Sequence, residues 1–117
     1  MANPNIVEVV NILGKTAVAN VTTILTSVVT NSAASNKIFK VNSLYVSNIE
    51  GANTANVNVS VTRSNVNYFI ARLVDVPAES TLDIVSKPIY LEESDSLSIS
   101  ASANSFLQAV VSYEEIS

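Results

Sequence analysis

This sequence predicts an all-β fold: an antiparallel β-sandwich of jelly-roll or Greek-key type, with about eight strands in a single domain over residues 1–117. Three observations carry that expectation. Apolar residues alternate with Ser, Thr and Asn at period two, most clearly where Val57, Val59 and Val61 interleave with Asn58, Ser60 and Thr62; such alternation marks a half-buried strand. Turn-forming clusters recur roughly every 8 to 12 residues, the spacing of short strands in a sandwich or small barrel. Val is abundant, Gly numbers only 2, and Ser, Thr and Asn make up about a third of the chain, a composition suited to strands with uncharged polar faces.

Taken in order, residues 1–5 with Asn3-Pro4-Asn5 form a flexible or docking arm, and residues 6–13 (IVEVVNIL) a first strand closed at Gly14-Lys15. Residues 16–30 are ambiguous by spacing. Val18, Val21, Leu25 and Val28 fit a helix, whereas the many β-branched residues favour a strand with Val21, Leu25 and Val29 inward. The strand is the expectation and the helix its alternative. After a turn at 31–36, residues 37–48 form a long strand of mixed phase: Phe39, Val41 and Tyr45 share one face, Leu44 and Val46 the other. A bulge near Asn42-Ser43 would reconcile them.

Glu50-Gly51-Ala52-Asn53 is the next turn, with Gly51 where a positive φ is tolerated. The Val57 strand follows, then a connection from Arg63 to Asn67. Residues 68–76 (YFIARLVDV) are apolar on both phases, as in a strand covered on both faces. Pro77-Ala78-Glu79-Ser80 is a turn; Leu82, Ile84 and Val85 make a short strand, and Pro88 marks an edge or a break. Residues 88–117 read as three strand-like runs joined by two polar turns, an antiparallel meander ending the chain. They comprise Ile89 to Leu91, then Leu97, Ile99, Ala101 and Ala103 between serines, then Phe106 to Tyr113 with Leu107, Ala109, Val111 and Tyr113 on one face. Leu44-Tyr45-Val46 and Ile89-Tyr90-Leu91 each precede a polar acidic turn, a hint of pseudo-repeated halves.

The composition excludes several function classes. Hydrophobic residues at 48% rule out a disordered tail. No apolar run nears the roughly 20 residues of a membrane span, and no basic region precedes a signal-like core, so a soluble protein made without a secretory signal is expected. A net charge of −4, with Lys15, Lys37, Lys40, Arg63, Arg72 and Lys87 scattered, argues against nucleic acid as partner. The chain has no His and no Cys, and no Ser sits in a Gly-x-Ser-x-Gly context, so it is expected to be non-enzymatic and without a cofactor. Charged residues at only 14% leave weakly repelling surfaces, suited to burial against copies or neighbours.

Within that frame the candidate contact residues are few. Glu92, Glu93 and Asp95 form one local carboxylate cluster without Ca²⁺-loop spacing; a solvated hairpin turn, or ion pairs with Lys or Arg of an adjacent subunit, suits them better than a metal. Asp75 and Asp83 are assigned to the surface. Most of the Tyr and Phe residues belong in the core, and Tyr45, Tyr90 and Tyr113 join the three acids as interface candidates.

Three segments also carry a resemblance: Val76-Pro77-Ala78-Glu79-Ser80-Thr81-Leu82, Pro88-Ile89-Tyr90-Leu91-Glu92-Glu93-Ser94-Asp95-Ser96-Leu97, and Ser112-Tyr113-Glu114-Glu115-Ile116. Together they resemble a group of small structural proteins of tailed-phage virions, of the marine cyanophage-like kind. Met1-Ala2-Asn3-Pro4-Asn5-Ile6-Val7 and Gly14-Lys15-Thr16-Ala17 are similar to that group too, so the resemblance spans most of the chain. The group more often has Gly where Ser94 stands. The resemblance brings no catalytic motif. It implies a place in a particle: first a capsid decoration (cement) protein on the head shell, partnered by the major capsid protein and by copies of itself. The alternatives are a neck, tail or fibre-associated protein, or a carbohydrate-binding module that uses an exposed Tyr in host adsorption.

Overall fold

A computed structural model describes residues 10–117. The expected arm over residues 1–5 and the first part of the expected strand at 6–13 lie outside the described residues. The rest forms nine strands: β1 (Ile12–Asn20), β2 (Thr26–Thr30), β3 (Ile38–Asn48), β4 (Ala55–Arg63), β5 (Val66–Val76), β6 (Thr81–Asp83), β7 (Ile89–Leu91), β8 (Ser96–Ala101) and β9 (Leu107–Ile116). They build two antiparallel sheets, one in the order β1-β9-β3-β6 with β7 also on β3, the other in the order β2-β8-β4-β5. Because β6 and β7 share one edge of β3, nine strands fill eight places.

The pairing has a simple origin. Paired positions mirror each other about the turn at Ser64-Asn65: Val61 lies opposite Tyr68, Tyr45 opposite Asp83, Val29 opposite Leu97 and Gly14 opposite Glu114. The chain is one long antiparallel ribbon, folded at its tip and rolled so that its halves face each other, which is a jelly roll. Ser64 and Asn65 both take positive φ, 54° and 62°, the two-residue hairpin turn whose twist matches its strands.

The roll overturns the expected terminal meander. β7 lies in the first sheet, β8 in the second and β9 in the first again. Leu97, Ile99 and Ala101 therefore face Leu107, Ala109 and Val111 across the core rather than lying beside them. Residues 16–30 are not one strand either. β1 ends at Asn20, Val21 stays buried as the chain crosses between the sheets, and β2 resumes at Thr26 with Val29 buried. No helix forms. Gly14-Lys15 is no turn: β1 runs through both residues in unbroken register with β9, and that continuous ladder outweighs the conformational cost of one Gly.

The bulge expected in the long strand is present. The register of β3 against β9 shifts between Val41 and Ser43, which turns Phe39, Val41, Leu44 and Val46 all inward and leaves Tyr45 outside. These side chains close the core with Val57, Val59, Leu97, Ile99, Leu107 and Val111. Each such burial contributes about 1.5–3 kcal/mol.

Strand β5 departs most from expectation. It is apolar on both phases but lies at the edge of the second sheet, and its register against β4 slips twice, around Ile70 and at Arg72-Leu73, where Leu73 takes a φ of 54°. Only Ala71 and Val76 are buried. Gly51 does not use its freedom: neither glycine has a positive φ, and the 50–53 turn is held by hydrogen bonds from the Glu50 amide to Asn48 Oδ1 (2.9 Å) and from the Ala52 amide to Glu50 Oε1 (3.1 Å). Ser94, where the resembling proteins favour Gly, does take a positive φ of 71°.

Candidate interaction surfaces

One end of the roll collects the acidic cluster. The hairpin tip brings Arg63 against the 92–95 turn, where its Nε donates to Asp95 Oδ1 (2.8 Å) and its Nη2 to Asp95 Oδ2 and to Glu92 Oε2 (2.9 Å). The Glu92 amide donates to Asp95 Oδ2 at 2.9 Å. Glu93 Oε2 accepts from the Asn36 amide at 2.6 Å. Burial pushes the Asp95 carboxyl up, but the hydrogen bond from Arg63, the Glu92 amide and the guanidinium charge outweigh it, and the group titrates below the ordinary Asp value. Asp95 is 1% exposed and Glu93 is buried as well, so these acids fasten their own chain together rather than standing in a solvated turn. Glu92 keeps a half-exposed side chain. Among the described residues no group of three or more acidic side chains is placed to hold a metal ion.

Beside this clamp, Glu115 on β9 lies between Lys15 Nζ (3.1 Å) and Lys37 Nζ (3.0 Å). Burial raises its carboxyl, and the two lysines more than reverse the effect. Two buried asparagines tie loops to strands at opposite ends of the roll. Asn31 Nδ2 donates to the carbonyls of Lys37 (2.9 Å) and Leu91 (3.0 Å), while its Oδ1 accepts from Ser35 Oγ at 2.6 Å. Asn48 Nδ2 donates to the carbonyls of Asn53 and Val76, both at 2.9 Å. Sequence reasoning missed both, because an Asn beside a turn reads as a turn residue whether its side chain points out or in.

The three tyrosines separate. Tyr113 is half-buried, its ring 5.5 Å from that of Phe39 at the rim of the core. Tyr45 and Tyr90 stand on the outer face of the first sheet, each 46% exposed. Tyr45 belongs to a row in direct register across four strands: Val18, Val110, Tyr45, Asp83. Its apolar members are exposed, Val18 at 74%. The Leu44-Tyr45-Val46 and Ile89-Tyr90-Leu91 triplets thus share one sheet, and β7 pairs with β3.

The second apolar surface was not foreseen as a surface. On β5, Tyr68, Phe69, Ile70 and Leu73 are all exposed, Leu73 at 61%. Arg72 lies over the Phe69 ring, 5.2 Å from its centroid. Leu25, Phe69, Arg72 and Leu73 rim a shallow depression over Asn58 and Ser100. The neighbouring outer face of the second sheet is uncharged and largely bonded to itself, through Ser27 with Ser98, Thr62 with Ser98, and Asn58 with Ser100. Ser60, fully buried there, has no hydrogen-bond partner for its Oγ. The signal for this surface was in the sequence as apolarity on both phases of 68–76, a pattern shared by a buried strand and a sticky edge. No protein-family model matches the chain, and no curated protein shows significant similarity to it.

Proposed function

We propose that this protein is a non-enzymatic structural component of a tailed-phage virion, a capsid decoration protein seated on the outside of the head shell. The observation that carries the reading is the distribution of apolar surface. A complete core coexists with two exposed apolar strips, one along β5 and one across β1, β9 and β3. Large apolar side chains left clustered on the outside of a finished fold are the mark of a contact with other proteins. The resemblance of the 76–82, 88–97 and 112–116 segments to virion proteins supports the particle as the place of that contact. The acidic cluster is engaged internally, so the exposed strips and the uncharged outer face of the second sheet, rather than that cluster, are left to meet the major capsid protein and copies of this chain.

Quantifying the protein in purified virions tests the proposal. A decoration protein is present in hundreds of copies and binds preformed capsids. A count near a dozen copies refutes decoration and favours a ring at the neck or tail.

A further inference from the structure

We infer that this protein binds a second copy of itself head to tail, the Tyr45–Asp83 row of one copy against the Phe69–Arg72 edge of the next. The contact rests on the structural role proposed above, and it names the partner and the residues.

Charge bookkeeping points to it. Of the six cations, Lys15 and Lys37 are engaged by Glu115 and Arg63 by Asp95 and Glu92, while Lys40, Arg72 and Lys87 have no ion pair among the described residues; of these three only Arg72 lies over an aromatic ring. Arg72 meets no carboxylate among the described residues, Asp75 on its own strand included. Its guanidinium lies over the Phe69 ring and leaves its donors unused, with Leu25 and Leu73 beside it and Asn58 and Ser100 lining the same depression. A guanidinium stacked on an aromatic ring, with aliphatic side chains alongside, offers its donors to a carboxylate that has apolar surface beside it.

Asp83 supplies that complement. It is exposed, pairs with no cation among the described residues, and ends the apolar row of Val18, Val110 and Tyr45. The row crosses four strands, about 14 Å at the usual strand spacing, and Phe69 to Leu73 spans about 10–13 Å along β5. The two surfaces lie on different sheets, so one copy cannot close the pair within itself, yet every copy carries both halves. Such a contact is heterologous, and successive copies close into a ring or continue as a filament according to the rotation between them.

Sedimentation velocity of the purified full chain over a broad concentration range tests the inference. Wild type is expected to associate, and Arg72→Asp and Asp83→Arg each to weaken association about 10–100-fold by setting like charges together. The double variant exchanges the signs and is expected to regain it, as is an equimolar mixture of the two single variants. Circular dichroism establishes that each variant is folded, and Arg72→Gln and Asp83→Asn replace any reversal that is not. A wild type that stays monomeric, variants that associate as well as wild type, or a double variant no better than the singles overturns the inference. So does a monomeric wild type whose binding to preformed capsids falls with Arg72→Asp, which assigns the edge to a shell protein. Virion copy number is measured separately, so failure of the self-contact leaves the decoration role to its own test.

Discussion

Replacing Arg63 with Ala removes one side of the clamp at the hairpin end while Asp95 stays buried. Asp95 then loses two charge-assisted hydrogen bonds and keeps one, from the Glu92 amide. A buried carboxylate deprived of its partner costs about 3–5 kcal/mol. Because Arg63 itself is half-exposed and water partly replaces it, about 2–3 kcal/mol is expected at neutral pH. For a domain of this size that lowers the melting temperature by roughly 10 °C. The loss depends on pH with a definite sign. The wild-type Asp95 carboxyl is held below its ordinary value, so its contribution is fully present above the unfolded value of about 3.9 and is lost as pH falls through the depressed folded value. In the variant, burial acts on Asp95 without the guanidinium, and protonation relieves it. The gap between wild type and Arg63→Ala is therefore widest at pH 7 and narrows below pH 4, whereas the Glu115 pairs titrate in both proteins and cancel. Urea unfolding followed by circular dichroism at pH 7, 5 and 3 measures this. A penalty under about 0.5 kcal/mol at pH 7, or one equally large at pH 3, refutes the clamp as described.

Three further outcomes are expected from the same unfolding assay. Asn31→Ala and Asn48→Ala each leave two carbonyls without their donor and are expected to cost about 2–3 kcal/mol, additive in the double variant because the sites are at opposite ends of the roll. Ser60→Ala removes a buried hydroxyl that has no partner and is expected to leave stability unchanged or raise it by about 0.5–1 kcal/mol; a loss above about 1 kcal/mol would mean the hydroxyl is bonded. Ser64→Asn with Asn65→Gly suits the positive φ of both turn positions and is expected to add about 0.5–1 kcal/mol, and destabilisation would contradict the turn geometry.

The bulge in β3 was legible because Phe39 and Val41 disagree in phase with Leu44 and Val46, and only an extra residue lets all four face one core. The terminal runs were legible as strands but not as neighbours. Leu97, Ile99 and Ala101 bury the same side whether they pair beside β9 or face it, so alternation carries no information on partners. Among the candidate contact residues, Tyr45 and Tyr90 are exposed, whereas Asp95 and Glu93 are buried. Three acids in four positions look solvated, and only the folded chain brings Arg63 and the Asn36 amide to them from far along the sequence. For Arg72, one of the scattered cations, nothing local shows that it lacks a carboxylate.

By itself the sequence determined the strand class, most of the turns and the inward side of most strands, because side-chain direction at period two and turn chemistry are set within a few residues. Tertiary structure decided which strands pair, that β5 lies at an edge with its apolar residues outside, and which charges are already matched. Those outcomes depend on where a folded ribbon brings distant segments together, and rolling the chain about Ser64-Asn65 is a long-range event that no local pattern encodes.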